Sequence, residues 1–271
     1  AMRLSALSLT LVNGERIEAA SARAALDMTR WRIRLTDLVI EDPAGRLEGD
    51  LTLRAAQPLE LRVAANGHWR LPDERVYRFA GVLGGNLDRL GTTLTLSEPA
   101  NLSFIGNALA LTEEPRVVGT LRFTDFDGSP WIEAGRFPQA SGSIALDARR
   151  AAFGLDGTLT SAALEAGPLR LQGAGEWLDS TLRIDSLRAW LPRLAASASV
   201  AGTVRFIEDS APELKLAGEW SGLRWPLMDA ATVESPYGAF SVAGSLPYSF
   251  DVRASASAPD LPAADFTAAG S

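Results

Sequence analysis

The sequence predicts an all-β protein, a continuous sheet bent into a trough with its apolar face inward and with few or no helices. Three observations predict it. Apolar and polar residues alternate with period two along almost the whole chain, and a helical period is nearly absent. A short motif, apolar–any–Gly–any–apolar, recurs from one end of the chain to the other. In three strands the alternation slips by one residue partway along.

The elements follow in order. Either the 17–27 stretch or DAATV (229–233) is the place for a short helix. In WRIRLTDLVI (31–40), Trp31, Ile33 and Leu35 share one phase, and Leu38 and Ile40 take the other. RLEGDLTLR (46–54) sets Leu47, Gly49, Leu51 and Leu53 against Arg46, Glu48, Asp50 and Arg54. PLELRV (58–63) sets Leu59, Leu61 and Val63 against Glu60 and Arg62. One face is apolar and the other wet, as in a half-buried antiparallel strand. FAGVL (79–83), VVGTLRF (117–123) and LDGTL (155–159) repeat the glycine motif, the second presenting Val117, Leu121 and Phe123. LRLQGAGEW (169–177) is a related strand. TLRIDSLRAWL (181–191) holds Leu182 and Ile184 in one phase and Leu187, Ala189 and Leu191 in the other. VAGTVRF (200–206) presents Val200, Val204 and Phe206. LKLAGEWSGLRWPL (214–227) runs through Leu214, Leu216, Gly218 and Trp220, then slips to Leu223, Trp225 and Leu227. VAGSLPY (242–248) is the last copy. Each slip reads as a β-bulge, which raises twist and bends a sheet. EDPAG (41–45), SEPAN (97–101), FDGSP (126–130) and EDSAPE (208–213) read as turns.

The central glycines are Gly49, Gly81, Gly119, Gly157, Gly202 and Gly244, spaced by 32, 38, 38, 45 and 42 residues. Glycine inside a strand is costly and marks a bulge, a bend or a close backbone approach. Its return in every copy predicts a line along which the sheet folds. No linker breaks the pattern, so residues 1–271 read as one continuous domain. Ala1-Met2 reads as a cloning remnant, and the chain as an internal piece of a longer protein.

Composition narrows the function classes. Hydrophobic residues make up 46% and charged residues 22%, which argues against disorder. The net charge is −7, and no dense Arg cluster stands out, so nucleic acid is not an expected partner. Cysteine is absent, which removes disulfides and thiolate chemistry. No run of 18 or more apolar residues exists, so no helical membrane span is expected.

No enzyme constellation emerges, and neither a metal nor a cofactor is expected. The single histidine, His68, follows an Asn-Gly turn signal and reads as a solvated turn residue. DFDGS (125–129) lacks the ligand spacing of a calcium loop. GVLGGNLDRLG (81–91) opens no amphipathic helix, so its glycines read as turn and bulge residues rather than a phosphate loop. Glu113-Glu114 and Glu208-Asp209 point to opposite faces of extended chain and make no glycosidase dyad. The seven tryptophans (31, 69, 131, 177, 190, 220 and 225) read as core or groove lining. What remains is a long apolar face, either a closed core or a conduit.

The runs at 46–73, 169–192, 200–206, 213–227 and 235–270 resemble the TamB and AsmA-like family, akin to bridge-like lipid transfer proteins. The resemblance implies an elongated β-taco, a repeating β-groove formed by a U-shaped antiparallel or mixed sheet with an apolar interior. It implies the periplasm of a diderm bacterium, with the full-length protein anchored in the inner membrane. The implied ligand is phospholipid or another acyl-chain lipid, and the implied partner of the full-length protein is the outer-membrane barrel protein TamA. On this resemblance Leu47, Leu51, Leu53, Leu59, Leu61, Val63, Val117, Leu121, Phe123, Leu182, Ile184, Val200, Val204, Phe206, Leu214, Leu216 and Trp220 line a lipid groove, and the six repeat glycines shape its fold line. The rival expectation is a structural scaffold for outer-membrane protein assembly, with a dry core and strand edges that pair with client proteins.

Overall fold

A computed structural model describes residues 2–10, 16–55, 57–70, 75–127, 139–161, 167–207, 210–225, 233–258 and 261–270, with side chains undescribed at 2–10, 16–20, 225 and 261. The chain forms two compact units, Ala1–Phe126 and Asp127–Ser271. Among the described residues each is an antiparallel meander of nine strands. The first holds β1 (Met2–Thr10), β2 (Arg16–Thr29), β3 (Arg32–Asp42), β4 (Gly45–Arg54), β5 (Glu60–Arg70), β6 (Val76–Asn86), β7 (Arg89–Glu98), β8 (Asn101–Leu109) and β9 (Arg116–Phe126). The second holds β10 (Ala140–Arg149), β11 (Ala152–Ser161), β12 (Leu169–Leu178), β13 (Thr181–Leu191), β14 (Ala196–Arg205), β15 (Glu213–Trp225), β16 (Val233–Gly244), β17 (Ser249–Ala258) and β18 (Leu261–Gly270). Within a unit each strand pairs with its neighbours in sequence, and the first and last strands have one partner each. The helical content among the described residues is one 3₁₀ turn at Pro192–Leu194.

The all-β, antiparallel expectation is met. The expected helix at 17–27 is not: those residues lie inside β2 and pair with β1 and β3. Alanine favours helix, but local propensity is a weak prior and pairing on both sides overrides it. Of DAATV, residues 229–232 lie outside the described residues, as do Trp131, Glu208, Asp209 and part of the turns at 126–130 and 208–213.

The slips in β3 and β13 are bulges. Leu35 stands opposite Leu51 and Leu38 opposite Gly49, with an extra residue between them on β3. Asp37 takes a left-handed φ of 52° there, and its amide donates to Asp50 Oδ1 at 3.2 Å. The bulge in β13 falls between Ile184 and Leu187, opposite Gly202 and Val200. In both strands the inserted residue returns the apolar series to the face it began on, because paired residues share a face. The slip in β15 behaves differently. Gly222 (φ 63°) lies between the pairs Ser221–Tyr237 and Leu223–Ser235, opposite Pro236, so β15 and β16 stay in step. The shift appears one strand further on, between β16 and β17.

The repeating motif is not one structural unit. Its glycines fall on β4, β6, β9, β11, β14 and β16, so successive copies are two or three strands apart. That is why the spacing is loose.

Candidate functional site

Directly opposed residues in an antiparallel ladder stand on the same face. In the first unit, Leu47, Leu51 and Leu53 of β4 oppose Ile40, Leu35 and Ile33 on β3, and Gly67, Val63 and Leu61 on β5. Ala65 opposes Gly81, which opposes Leu94, then Phe104, then Leu121 of β9. Val117 and Phe123 stand on that face of β9, opposite Ala108 and Leu102. A single apolar face therefore runs from β3 to β9. Leu59 lies just before β5 and is half-buried.

This face holds a concavity of about 480 Å³, lined by Val63, Phe79, Leu83, Leu94, Leu96, Leu102, Phe104 and Leu121, together with Gly81. The lining comes from five consecutive strands, which at about 4.8 Å per strand span roughly 19 Å. Glycine makes room for the large side chains of this face. A Cβ on Gly81 would stand 2.7 Å from Leu94 Cδ2, and one on Gly119 would stand 2.5 Å from Phe104 Cζ. Of this lining, Val63 and Leu121 are expected from the sequence as lining and Gly81 as a fold-line glycine, while Phe79 and Leu83 fall in a motif copy but are not expected as lining. Leu94, Leu96, Leu102 and Phe104 are not among the expected residues, although RLGTTLTL and NLSFIGNAL alternate as clearly as the other strands.

The second unit repeats the arrangement. Leu182 and Ile184 oppose Trp177 and Gly175 on β12, and Val204 and Gly202 on β14. Val200 opposes Leu187 and Gly218, and Leu214 and Leu216 oppose Val204 and Gly202. Phe206, just past β14, stacks on Trp177 with ring centroids 5.3 Å apart. Trp220 is tied into the sheet. Its ring stacks with Phe240 at 6.4 Å and occupies the space a side chain at Gly238 would need. Its Nε1–H donates to Ser235 Oγ at 2.8 Å, and that hydroxyl donates to the Ser255 carbonyl at 2.8 Å. This relay crosses β15, β16 and β17 where the β16 register shifts.

Register also places the repeat glycines. Gly49 and Gly81 share one row through Ala65, while Gly119 lies in the next row, opposite Gly106. In the second unit Gly157, Gly202 and Gly244 stand in the rows that reach β15 at Trp220, Leu216 and Leu214. Gly49 and Gly81 apart, the repeat glycines therefore stand in separate rows within each unit.

The apolar face is not sealed. Among the described residues no large side chain is fully buried, and the buried apolar residues are mostly alanines, with Val39, Phe123 and Leu191. The accessible surface is 17786 Å². A compact monomer of this mass exposes about 11,300 Å², and two separate compact domains of half that mass about 13,700 Å².

The wet face carries charge. His68 is an exposed residue within β5, near its C-terminal end, opposite Arg46 and Arg78, not a turn residue; Asn66-Gly67 runs straight through the strand. Glu113 and Glu114 are exposed in the β8–β9 connection. The 81–91 glycines lie in the β6–β7 hairpin, where Asn86 Oδ1 accepts from the amides of Asp88 and Arg89. No group of three or more His, Cys, Asp or Glu side chains among the described residues is placed to hold a metal. Exposed ion pairs lace the strands, as in Arg46 with Glu41 at 3.0 Å and Arg183 with Glu176 at 3.1 Å. Arg183 is pushed above its ordinary value by its hydrogen bond and charge contact with Asp185, and then by Glu176. One expectation about charge is corrected. No dense Arg cluster is visible along the chain, yet register gathers Arg32, Arg34, Arg54 and Arg62 from three strands around one concavity.

Among the described residues no helix is long and apolar enough to cross a membrane, which says nothing of crossing by strands. Compared with known proteins, the chain matches no family model, no curated protein and no solved structure.

Proposed function

We propose that this chain is a segment of a non-enzymatic lipid conduit. Each unit bends around its apolar face, acyl chains lie against that face, and head groups stay in water at the open side. The observation that carries the reading is the 480 Å³ concavity with its aliphatic and aromatic lining. Its volume falls in the range of about 300–1,000 Å³ usual for ligand pockets. Each methylene removed from water contributes about 0.8 kcal/mol, so an acyl chain binds without a dedicated polar contact. An even apolar lining holds a chain nowhere much more tightly than elsewhere, which suits sliding. On the resemblance to the TamB and AsmA-like family, the cargo is phospholipid moving between inner and outer membrane, the setting is the periplasm, and TamA is the partner of the full-length protein.

The test is uptake of a fluorescent fatty acid by delipidated protein, paired with native mass spectra of the protein as purified. Saturable uptake and phospholipid-mass adducts are expected. Leu94→Asp is the informative variant, because Leu94 lines the concavity yet is 51% exposed, so the sheet tolerates the change. It should weaken uptake about tenfold or more, a carboxylate on an apolar wall being costly. Equal uptake by the variant, or none by the parent protein, sinks the reading.

One observation favours the scaffold reading. β18 pairs with β17 alone within its unit, its described side chains are exposed, and Phe266 is 46% exposed. Such an edge can accept a further strand. A lipid-free mass with no uptake, together with capture of an extended outer-membrane strand peptide, would select it.

A further inference from the structure

The face of β3–β5 opposite the apolar one carries a second concavity, of about 270 Å³, lined by Arg32, Arg34, Thr52, Arg54, Glu60 and Arg62. Register builds it in two rows. Arg32, Arg54 and Glu60 stand abreast in one, and Arg34, Thr52 and Arg62 in the other. The charges do not balance. Asp27 lies opposite Arg34 but its carboxylate binds the guanidinium of Arg32 at 2.7 Å. Glu60 makes a loose pair with Arg54 at 3.6 Å. Four arginines against two carboxylates leave two positive charges, and among the described residues Arg34 and Arg62 have no carboxylate partner. These two flank Thr52, whose short side chain leaves the floor between them low. Arg32 Nε is buried and has no hydrogen-bond partner. Two guanidinium forks without a carboxylate partner among the described residues, and an orphaned N–H, surround one hollow in a chain of net charge −7 and concentrate positive charge where the rest of the molecule repels anions.

We propose that this hollow binds a single phosphomonoester or inorganic phosphate, held by Arg34 and Arg62 from either side of Thr52, with Arg32 Nε as a further donor. A phosphate monoester carries close to two negative charges at neutral pH, which matches the uncompensated pair. Planar forks grip its oxygens two at a time. The site is independent of the lipid reading, because Arg34, Thr52 and Arg62 alternate with the apolar residues and face away from them.

The experiment titrates inorganic phosphate into the full chain at low salt, with heat as the readout. One saturable site is expected. Arg34→Gln with Arg62→Gln should weaken it at least about tenfold. A charge-matched control, Arg149→Gln with Arg253→Gln in the second unit, should leave it unchanged. Thr52→Glu gives a second route, because it supplies the hollow with its own carboxylate and should abolish phosphate binding in a protein with unaltered far-UV circular dichroism. A vesicle arm separates the sources. Flotation with phosphatidylcholine vesicles containing phosphatidate, lost in the Arg34/Arg62 variant, assigns the phosphate to a lipid head group. Binding of free phosphate without flotation assigns it to a soluble ligand. Failure to bind either, or equal loss in the control, overturns the proposal.

Discussion

Single residues in this protein matter through the space and backbone they require. Gly202 has φ 139°, and a Cβ there would meet the Lys215 carbonyl and stand 2.9 Å from Leu216 Cα. Gly84 has only Arg62 Cγ nearby, at 3.9 Å. Two chemically identical substitutions should therefore differ in sign. Gly202→Ala should cost about 1–3 kcal/mol, whereas Gly84→Ala should be neutral or stabilise by up to about 1 kcal/mol. Urea unfolding of the pair measures both. Ser235 is the other telling residue, since one hydroxyl accepts from Trp220 and donates to the Ser255 carbonyl. Ser235→Ala should cost about 1–3 kcal/mol by orphaning both groups. It should also change the near-UV signal of Trp220, and an unchanged Tm and spectrum would show the relay to be incidental.

At the scale of the strand, the bulge separates what was legible in the sequence from what was not. WRIRLTDLVI and TLRIDSLRAWL disclosed their bulges because one inserted residue leaves a visible break in a period of two. Asn66-Gly67 misled, because a dipeptide that favours turns is carried straight by pairing with β4 and β6. The lining from β7 and β8 is equally periodic, but β7 carries no copy of the glycine motif and β8 only a weak one, at Phe104, Gly106 and Ala108, closed by a small residue. The Arg cluster could not be read at all, since its members come from strands whose register no single stretch encodes. The bulge also makes a prediction. Deleting Asp185 turns β13 into a regular strand that still presents Leu182, Ile184 and Leu187 on one face, so the protein should fold, with a modest loss of stability. Deleting Thr203 from the unbulged β14 throws one end of that strand onto the wrong face. Cooperative thermal unfolding, followed by far-UV circular dichroism, should survive the first deletion and be lost or strongly depressed in the second.

The whole molecule trades a sealed core for accessible apolar surface. With 17786 Å² exposed and no large side chain fully buried among the described residues, delipidated protein should gain stability from any acyl ligand it binds. At a free fatty acid concentration one hundred times Kd the gain is about 2.7 kcal/mol. A fatty acid titration of Tm should show it, and Leu94→Asp should blunt it. A Tm indifferent to fatty acid would argue that the face is already satisfied by itself.

The meander has a further consequence, for how such a chain comes into being. Within each unit every strand pairs in the ladder with the strands before and after it in sequence. Contacts of that kind have short loops to close, and a strand can dock as soon as its predecessor is in place. A chain emerging end first could therefore be assembled in order, each new strand templated by the last. Length then becomes a free variable, since a hairpin can be gained or lost without rewriting any distant strand pairing.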